Sequence, residues 1–175
     1  MITLRELSRE DLPVINRWRQ DSVVTDGIGA PRRFIGLDVD LKWYDEYLAR
    51  RGSEVRCAVL LTGSSQLVGM VSLTRIDYLH RNAEYNAVVG ERGEQNRGVG
   101  TAATRAMVRH AFFDLNLHRI YVSILRQNLG SIRMCEKAGF REEGTIRDGA
   151  YKNGQYHDLV LMGVLKSEVK AEGQP

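Results

Sequence analysis

The sequence predicts a single mixed α/β domain. Its 175 residues, 43% of them hydrophobic, are enough to build one substantial core. Short runs rich in Val, Leu and Ile alternate with segments whose apolar residues recur at helical spacing, and neither an internal repeat nor a low-complexity linker divides the chain. We expect one domain over residues 1–165 and a frayed tail over residues 166–175.

The first half of the chain shows strands on either side of two helices. Ile2 to Leu7 reads as a strand, and Ser8-Arg9-Glu10-Asp11 has the composition of a helix start. A stretch with two glycines and a proline, residues 26–33, should be irregular, and a second helix should cover residues 37–50. The next segments have strand composition, and the first two should form a hairpin: residues 55–61, 67–76 and 82–89.

The second half predicts two helices, each followed by strands. Small and apolar residues share one face of a helix over residues 98–115, and a strand follows at 119–125. A second helix over residues 131–138 should end at Gly139, and Asn153-Gly154 is typical of a tight hairpin turn. The total is about seven strands and about four helices.

Composition argues against several classes of function. Lys and Arg total 25 against 22 Asp and Glu, so the net charge of +3 gives no basic stripe for nucleic acid. Two cysteines, Cys57 and Cys135, are too few for a disulfide framework, and no spacing is typical of metal ligands. With neither a signal peptide nor a membrane-spanning run, we expect a cytoplasmic protein.

The turn Gln95-Asn96-Arg97-Gly98-Val99-Gly100 is the strongest local signal for a binding site. It follows a predicted strand and opens a predicted helix, where unpaired backbone N–H groups converge on an anion. Glycines at 98 and 100 let phosphate oxygens approach the backbone and permit unusual φ values. Arg97 could add a charged contact to the phosphate. An ordinary tight turn is the alternative interpretation.

Three segments of the chain resemble the GNAT superfamily of N-acetyltransferases. They are Gln95 to Gly100, Asn128 to Phe140 and Tyr151 to Asp158, in family order and spacing. The resemblance covers most of the chain and is strongest over residues 67–165. Within the superfamily, the chain most resembles the ribosomal-protein N-terminal acetyltransferases and their spermidine and aminosugar relatives. It implies the GNAT fold, a central mixed, mostly antiparallel sheet flanked by helices, and acetyl-CoA as the acetyl donor.

The same resemblance implies which residues hold the cofactor. The turn would bind the pyrophosphate, and the helix after residue 128 would border the cofactor. A splayed strand would offer a backbone N–H near Val88 or Val89 to the thioester oxygen. The residues implied are Val88, Val89, Gln95, Asn96, Arg97, Gly98, Val99, Gly100, Thr101, Asn128 and Ser131.

Glu84 is the candidate general base. On the strand over residues 82–89 it shares a face with Asn86 and Val88, and polar residues on a sheet covered by helices suggest a wet cleft, so Glu84 could act through an ordered water. The alternative is an ion pair with Arg75 or Arg119.

Two residues compete for the role of proton donor. The family usually has tyrosine where this chain has Cys135, so Cys135 is either an acid or a packed helix residue. Ser131 is either a second acid, as in the ribosomal-protein branch, or the N-cap of its helix. An alkyl thiol has a pKa of about 8.5, so its thiolate leaves readily without a strong acid.

Other residues are weaker candidates for the acceptor side, because a surface, packing or solvated role is the default interpretation of each of them. They are Arg32, Arg33, Trp43, Tyr44, Tyr47, His157 and Asp158.

The favoured hypothesis is direct transfer of an acetyl group from acetyl-CoA to a primary amine, without a metal. The acceptor would be a protein N-terminus, such as that of a ribosomal protein, or a small amine such as a polyamine, an aminosugar or an aminoglycoside. An acetyl-CoA sensor without turnover and a nucleotide-phosphate binder are the alternatives. A homodimer is the default expectation for assembly.

Overall fold

The computed structural model describes residues 1–170, and within them the chain forms one seven-stranded sheet with five α-helices. The strands are β1 (Ile2–Glu6), β2 (Val55–Leu61), β3 (Leu67–Asp77), β4 (Asn82–Val89), β5 (Arg119–Leu125), β6 (Arg141–Lys152) and β7 (Gln155–Leu165). The helices are α1 (Leu12–Gln20), α2 (Ser22–Asp26), α3 (Leu37–Ala49), α4 (Val99–Arg109) and α5 (Leu129–Lys137). The predicted mixed α/β class is confirmed.

The sheet opens in its middle. The strand order is β1-β2-β3-β4-β5-β7-β6, and every neighbouring pair is antiparallel except β4 and β5, which are parallel. These two strands pair only from Asn82 to Glu84 and from Arg119 to Tyr121, although both continue beyond. Their C-terminal halves therefore leave backbone groups unpaired on facing edges.

The two faces of the sheet are buried differently. Ala83 and Tyr85 of β4 are fully buried in a large core cluster that also contains Met107 of α4. A smaller cluster on the other face packs Leu12 of α1 against Ala58 of β2. Because side chains alternate along a strand, the next residues of β4 and β5 lie on this second face, where they are only partly buried or exposed. We call this surface the open face: Glu84, Asn86, Tyr121 and Ser123.

Helix α2 is the element that the sequence pattern missed. It has five residues and one buried apolar side chain, Val24, so it shows no helical period. The Asp21 side chain accepts a hydrogen bond from the N–H of Val23 at 2.9 Å and caps it. Two other predicted helices differ in their ends: α4 is followed by a π-helix over His110–Asp114, and α5 begins before Ser131.

The end of the described chain is held against the sheet. Asn153 and Gly154 have φ of 52° and 83°, as a two-residue turn with positive φ requires, so the predicted hairpin is confirmed. Lys166–Glu168 form a 3₁₀ turn, and Glu168 pairs with Arg141 at 2.8 Å, so this part of the expected tail is not frayed. Residues 171–175 lie outside the described residues. No helix within residues 1–170 is long and apolar enough to cross a membrane.

Candidate functional site

The turn before α4 has a left-handed backbone at two positions. Asn96 and Gly98 have φ of 61° and 84°. Asn tolerates this conformation and Gly adopts it without a steric penalty. Gly98 is the N-cap of α4, and a Cβ on it would meet no atom within 4 Å. The unpaired first-turn N–H groups of α4 thus border open space that suits an anion.

Gly100 does not have the unusual φ that the sequence pattern suggested. It lies inside α4 and does not have a positive φ, so no special backbone conformation requires it. A Cβ at Gly100 would approach Met134 Sδ to 2.6 Å and Val89 Cγ2 to 3.4 Å. The glycine therefore lets α4 pack closely against α5 and the end of β4.

A cleft of about 420 Å³ lies beside the C-terminal end of β4 and reaches α5, which follows β5 in the chain. It brings together residues from the end of β4, the turn, the start of α4 and the start of α5. The implied cofactor contacts that line it are Val88, Val89, Gln95, Asn96, Gly98, Gly100, Thr101, Asn128 and Ser131.

Two implied contacts lie outside the cleft lining. Arg97 pairs with Glu94 at 3.0 Å, and Val99 is 7% exposed and packs in the large core cluster. The turn directs the side chain of Arg97 to the surface and that of Val99 into the core, so the cofactor contacts of these two residues stay a prediction. Gln95 Nε2 instead donates to Val89 O at 3.0 Å and ties the turn to β4.

The backbone of β4 offers a donor to the cleft at Val89. Gly90 N–H donates to Val68 O of β3 at 2.9 Å, so Gly90 is directed towards β3. Backbone polar groups alternate along an antiparallel strand, which directs the N–H of Val89 to the opposite edge, towards the cleft. Of the two valines that the sequence left open as oxyanion donors, the geometry favours Val89.

Two basic residues in the cleft lining were not predicted from the sequence as cofactor contacts. Arg133 and Lys137 lie four residues apart on α5, which places them on one face of the helix. They give this end of the cleft a positive charge suited to phosphate groups. The helical pattern was visible, but only the packing of α5 shows that this face borders the cleft.

Asn128 is the N-cap residue of α5. Its Oδ1 accepts from Ser131 N at 3.0 Å, so the prediction of Ser131 as the N-cap is wrong. Asn128 Nδ2 also donates to Gly27 O at 2.8 Å, across 101 residues of sequence. Ser131 lines the cleft, and no hydrogen bond of its hydroxyl is found within the described residues. Ser131 is therefore the proton-donor candidate that the geometry leaves in place.

Cys135 lies in the core and not in the cleft. It is 1% exposed and belongs to the large core cluster. Burial, with a smaller effect of Glu136, raises the pKa of its thiol to about 12. The packing alternative fits this placement, whereas an acid at this position would have no path to a leaving group in the cleft.

Glu84 forms the ion pair that the sequence left open as an alternative. Its carboxylate is 24% exposed and lies 3.5 Å from Nε of Arg75, while Arg119 pairs with Glu143 instead. Glu84 does not line the cleft. It lies on the open face beside Tyr121, its neighbour in β5.

The residues at the other end of the cleft come from α2 and from the stretch after it, which the sequence predicts to be irregular. Gly27 and Ile28 line the cleft, together with Val23 and Val24 of α2. Thr25, Ile28 and Ala30 accept hydrogen bonds from Lys152 Nζ at 2.6, 2.8 and 3.3 Å. We refer to residues 25–30 as the 25–30 segment.

His157 and Asp158 make structural contacts near this segment. His157 Nε2 lies 3.1 Å from Lys152 O, and its Nδ1 lies 3.1 Å from Gln127 Nε2. Because a carbonyl only accepts, Nε2–H donates to Lys152 and Nδ1 accepts from Gln127. Asp158 Oδ1 accepts from Asp148 N at 3.0 Å.

The aromatic candidates on α3 contribute packing. Trp43 lies beneath the guanidinium groups of Arg19 and Arg56, at 5.0 and 4.8 Å from its ring. Tyr44 OH donates to Leu7 O, and Tyr47 OH donates to Glu6. Arg32 and Arg33 are exposed. Within residues 1–170 no group of three or more side chains could hold a metal ion.

Comparison with known proteins gives a family and two kinds of relative. The family model "Acetyltransferase (GNAT) domain" matches residues 1–141. The chain is 38% identical to "Putative ribosomal N-acetyltransferase YdaF" of Bacillus subtilis, over 74% of this chain and 68% of that protein. It is 30% identical to spermidine N(1)-acetyltransferase of Escherichia coli K12, over 98% of this chain and 89% of that one.

Solved structures agree with the sequence comparisons. A crystal structure of spermidine N-acetyltransferase from Vibrio cholerae, in complex with CoA and spermine, superposes with a TM-score of 0.88 at 28% identity, covering 95% of this chain and 96% of that one. The seven-stranded sheet, the left-handed turn before α4 and the cleft between the end of β4 and α5 also suit the cofactor that the resemblance implied. The chain therefore belongs to the GNAT family of acetyl-CoA-dependent N-acetyltransferases.

Proposed function

We propose that this enzyme acetylates a terminal primary amine of a small polycation of the polyamine class. Acetyl-CoA would lie in the cleft, with its phosphates at the turn and at Arg133 and Lys137. The acceptor would approach along the open face, towards the thioester near Val89. Similarity to spermidine acetyltransferases over nearly the whole chain supports this choice.

The observation that carries the proposal is the partly exposed carboxylate on the open face. Glu84 and Val88 share one face of β4, four residues apart, which corresponds to about 13 Å. Arg75, the partner of Glu84, is 77% exposed, so this ion pair is weak and exchangeable. A cation that reached from the cleft along β4 would meet Glu84 with a second ammonium group.

This distance also bears on the predicted base role of Glu84. A general base acts within about 3 Å of the proton or through one water. At about 13 Å along the strand from Val88, Glu84 is better placed to bind a distal ammonium than to deprotonate the reacting amine. We assign it to acceptor binding, and solvent then takes the proton.

The groups that surround the thioester need supply little further chemistry. The N–H of Val89 is available to the thioester oxygen, and the hydroxyl of Ser131 is available to the leaving sulfur. An alkylamine with a pKa of about 10.4 must lose its proton before attack, so the rate should rise with pH until another step limits it.

A protein N-terminus is the second candidate acceptor. The similarity to the Bacillus subtilis relative named above favours it, as does the apolar lining at one end of the cleft, from Val23, Val24, Ile28 and Ala87. An α-amine, with a pKa of about 8, needs less help to lose its proton in such surroundings.

A competition among acceptors tests the proposal. We expect kcat/KM for spermidine to exceed that for a monoamine of similar length, and that for peptides with free N-termini, at least tenfold. Replacing Glu84 by Gln should lower kcat/KM for spermidine about fivefold, equivalent to about 1 kcal/mol of ion pairing, and leave the monoamine unchanged.

The control is Glu142→Gln on β6, which removes an exposed carboxylate that lies 3.1 Å from the Arg126 guanidinium group. It should leave all the acceptors unaffected. A peptide that matches or exceeds spermidine would replace the polyamine proposal by the second candidate. An equal loss for the monoamine and spermidine in Glu84→Gln would return Glu84 to the role of base.

A further inference from the structure

We propose that Lys152 is a positioning residue: its buried ammonium group fixes the 25–30 segment and thereby sets the affinity of the enzyme for the acceptor. Lys152 is the last residue of β6, whereas the segment comprises the end of α2 and the four residues after it, far away in the sequence. The hydrogen bond from Nζ to Thr25 O spans 127 residues of sequence. Sequence proximity therefore does not account for this contact.

The ammonium group is fully used by the segment. Lys152 is 4% exposed, and its three N–H donors match the carbonyl groups of Thr25, Ile28 and Ala30. No carboxylate pairs with it in the part of the chain that the structure describes. A buried charge held only by carbonyl groups is costly unless all its donors are satisfied, so this arrangement requires the segment to keep its shape.

Thr25 O also accepts from Ile28 N at 3.1 Å, whereas the carbonyl groups of Gly27, Ile28 and Ala30 accept from side chains outside the segment. α2 ends at Asp26, so the following residues lack the regular hydrogen bonds of a helix or strand. Asn128 Nδ2 holds Gly27 O between the carbonyl groups that Lys152 holds. Two side chains from the second half of the protein thus hold four carbonyl groups of the segment.

Residues of this segment form part of the cleft lining, at the end away from the basic residues of α5. Gly27 and Ile28 line it, and the Lys152 backbone is itself held by His157. The phosphate turn, Arg133 and Lys137 make no contact with Lys152 among the described hydrogen bonds. Loss of the ammonium group should therefore loosen the end of the cleft at which the acceptor meets the thioester, and leave the binding of the acetyl-CoA phosphates intact.

The kinetic prediction rests on the proposed transfer to an amine, while two further measurements do not need the acceptor. In Lys152→Met, which keeps the length of the side chain without the donors, we expect the KM for the best amine to rise at least fivefold. The Kd for acetyl-CoA should stay within twofold. Amide hydrogen exchange within residues 25–30 should accelerate at least tenfold.

The control is Lys42→Met, which removes an exposed lysine of α3 and should change none of the three measurements. If Lys152→Met does not fold, Lys152→Gln, with a shorter amide donor, should show the same changes in the same directions. Unchanged exchange in residues 25–30, or a loss of acetyl-CoA affinity as large as the loss for the amine, would overturn the proposal. If the wild-type enzyme acetylates no amine, the proposed function fails, and the exchange and acetyl-CoA measurements still decide the role of Lys152.

Discussion

Gly98 and Gly100 belong to one family pattern, yet they are required for different physical reasons. The backbone at position 98 is left-handed at the start of α4, whereas position 100 leaves no room for a Cβ between two helices. The sequence pattern identified both positions because the turn is local. It could not separate the two reasons, because the contact between Gly100 and Met134 depends on how α4 and α5 pack.

Replacing Gly98 by Ala should impair acetyl-CoA binding. The left-handed conformation costs a residue with a Cβ about 1–2 kcal/mol, and the methyl group would enter the space in front of the turn. We expect the Kd for acetyl-CoA, measured by calorimetry, to rise at least tenfold. Gly93→Ala is the control, because Gly93 has open space around its Cβ position and no positive φ. Equal effects of the two substitutions would contradict the assignment of the turn.

At the level of elements, the carboxylate of Asp11 connects β1 to the start of α1, where Asp11 is the N-cap residue. Arg5 of β1 donates to both oxygens of Asp11 at 2.7 and 2.8 Å, and Ser8 N donates to the same carboxylate at 2.8 Å. Burial would raise the pKa of Asp11, but Arg5 and Ser8 outweigh it and lower the pKa below the ordinary value of 3.8.

This lowered pKa predicts a loss of stability in acid. A depressed folded-state pKa means that Asp11 stabilises the fold above the unfolded-state pKa and that this contribution disappears as the pH falls through the folded-state value. At pH 7 the free energy of unfolding of Asp11→Asn should be about 1–3 kcal/mol below that of the wild type, measured by urea denaturation. The difference should shrink below pH 3.8.

Asp45→Asn is the matched control for this prediction. Asp45 pairs with Arg9, but both side chains are more than half exposed, so the cost should stay below about 1 kcal/mol. A difference between wild type and Asp11→Asn that persists unchanged at low pH would contradict the ionic role of Asp11.

Elements with a strong local pattern were predictable, and those defined by distant contacts were not. The strands and the hairpin turn at Asn153-Gly154 follow from composition and turn chemistry. Helix α2 is too short to show a period, and the separation of β4 from β5 is a property of pairing that no single strand encodes. Gly90 looked unremarkable, yet a Cβ on it would overlap the ring of Trp18.

Over the whole molecule, the two halves of the chain contribute opposite sides of one cleft. The second half supplies the phosphate turn and α5, while the segment after α2 completes the other end. Asn128 and Lys152 join the two halves through the carbonyl groups of the 25–30 segment. Sequence reasoning found the donor side through its local pattern, and it missed Lys152 because the function of that residue depends on a partner far away in the sequence.

The central claim is that this cleft binds acetyl-CoA and transfers its acetyl group to a primary amine. The most direct test is thiol release from acetyl-CoA by the purified protein, with and without an amine panel that includes polyamines, aminosugars, aminoglycosides and peptides with free N-termini. We predict that release requires an amine and yields its acetylated product. Acetyl-CoA binding without release for any amine in the panel would contradict the claim and indicate an acetyl-CoA sensor.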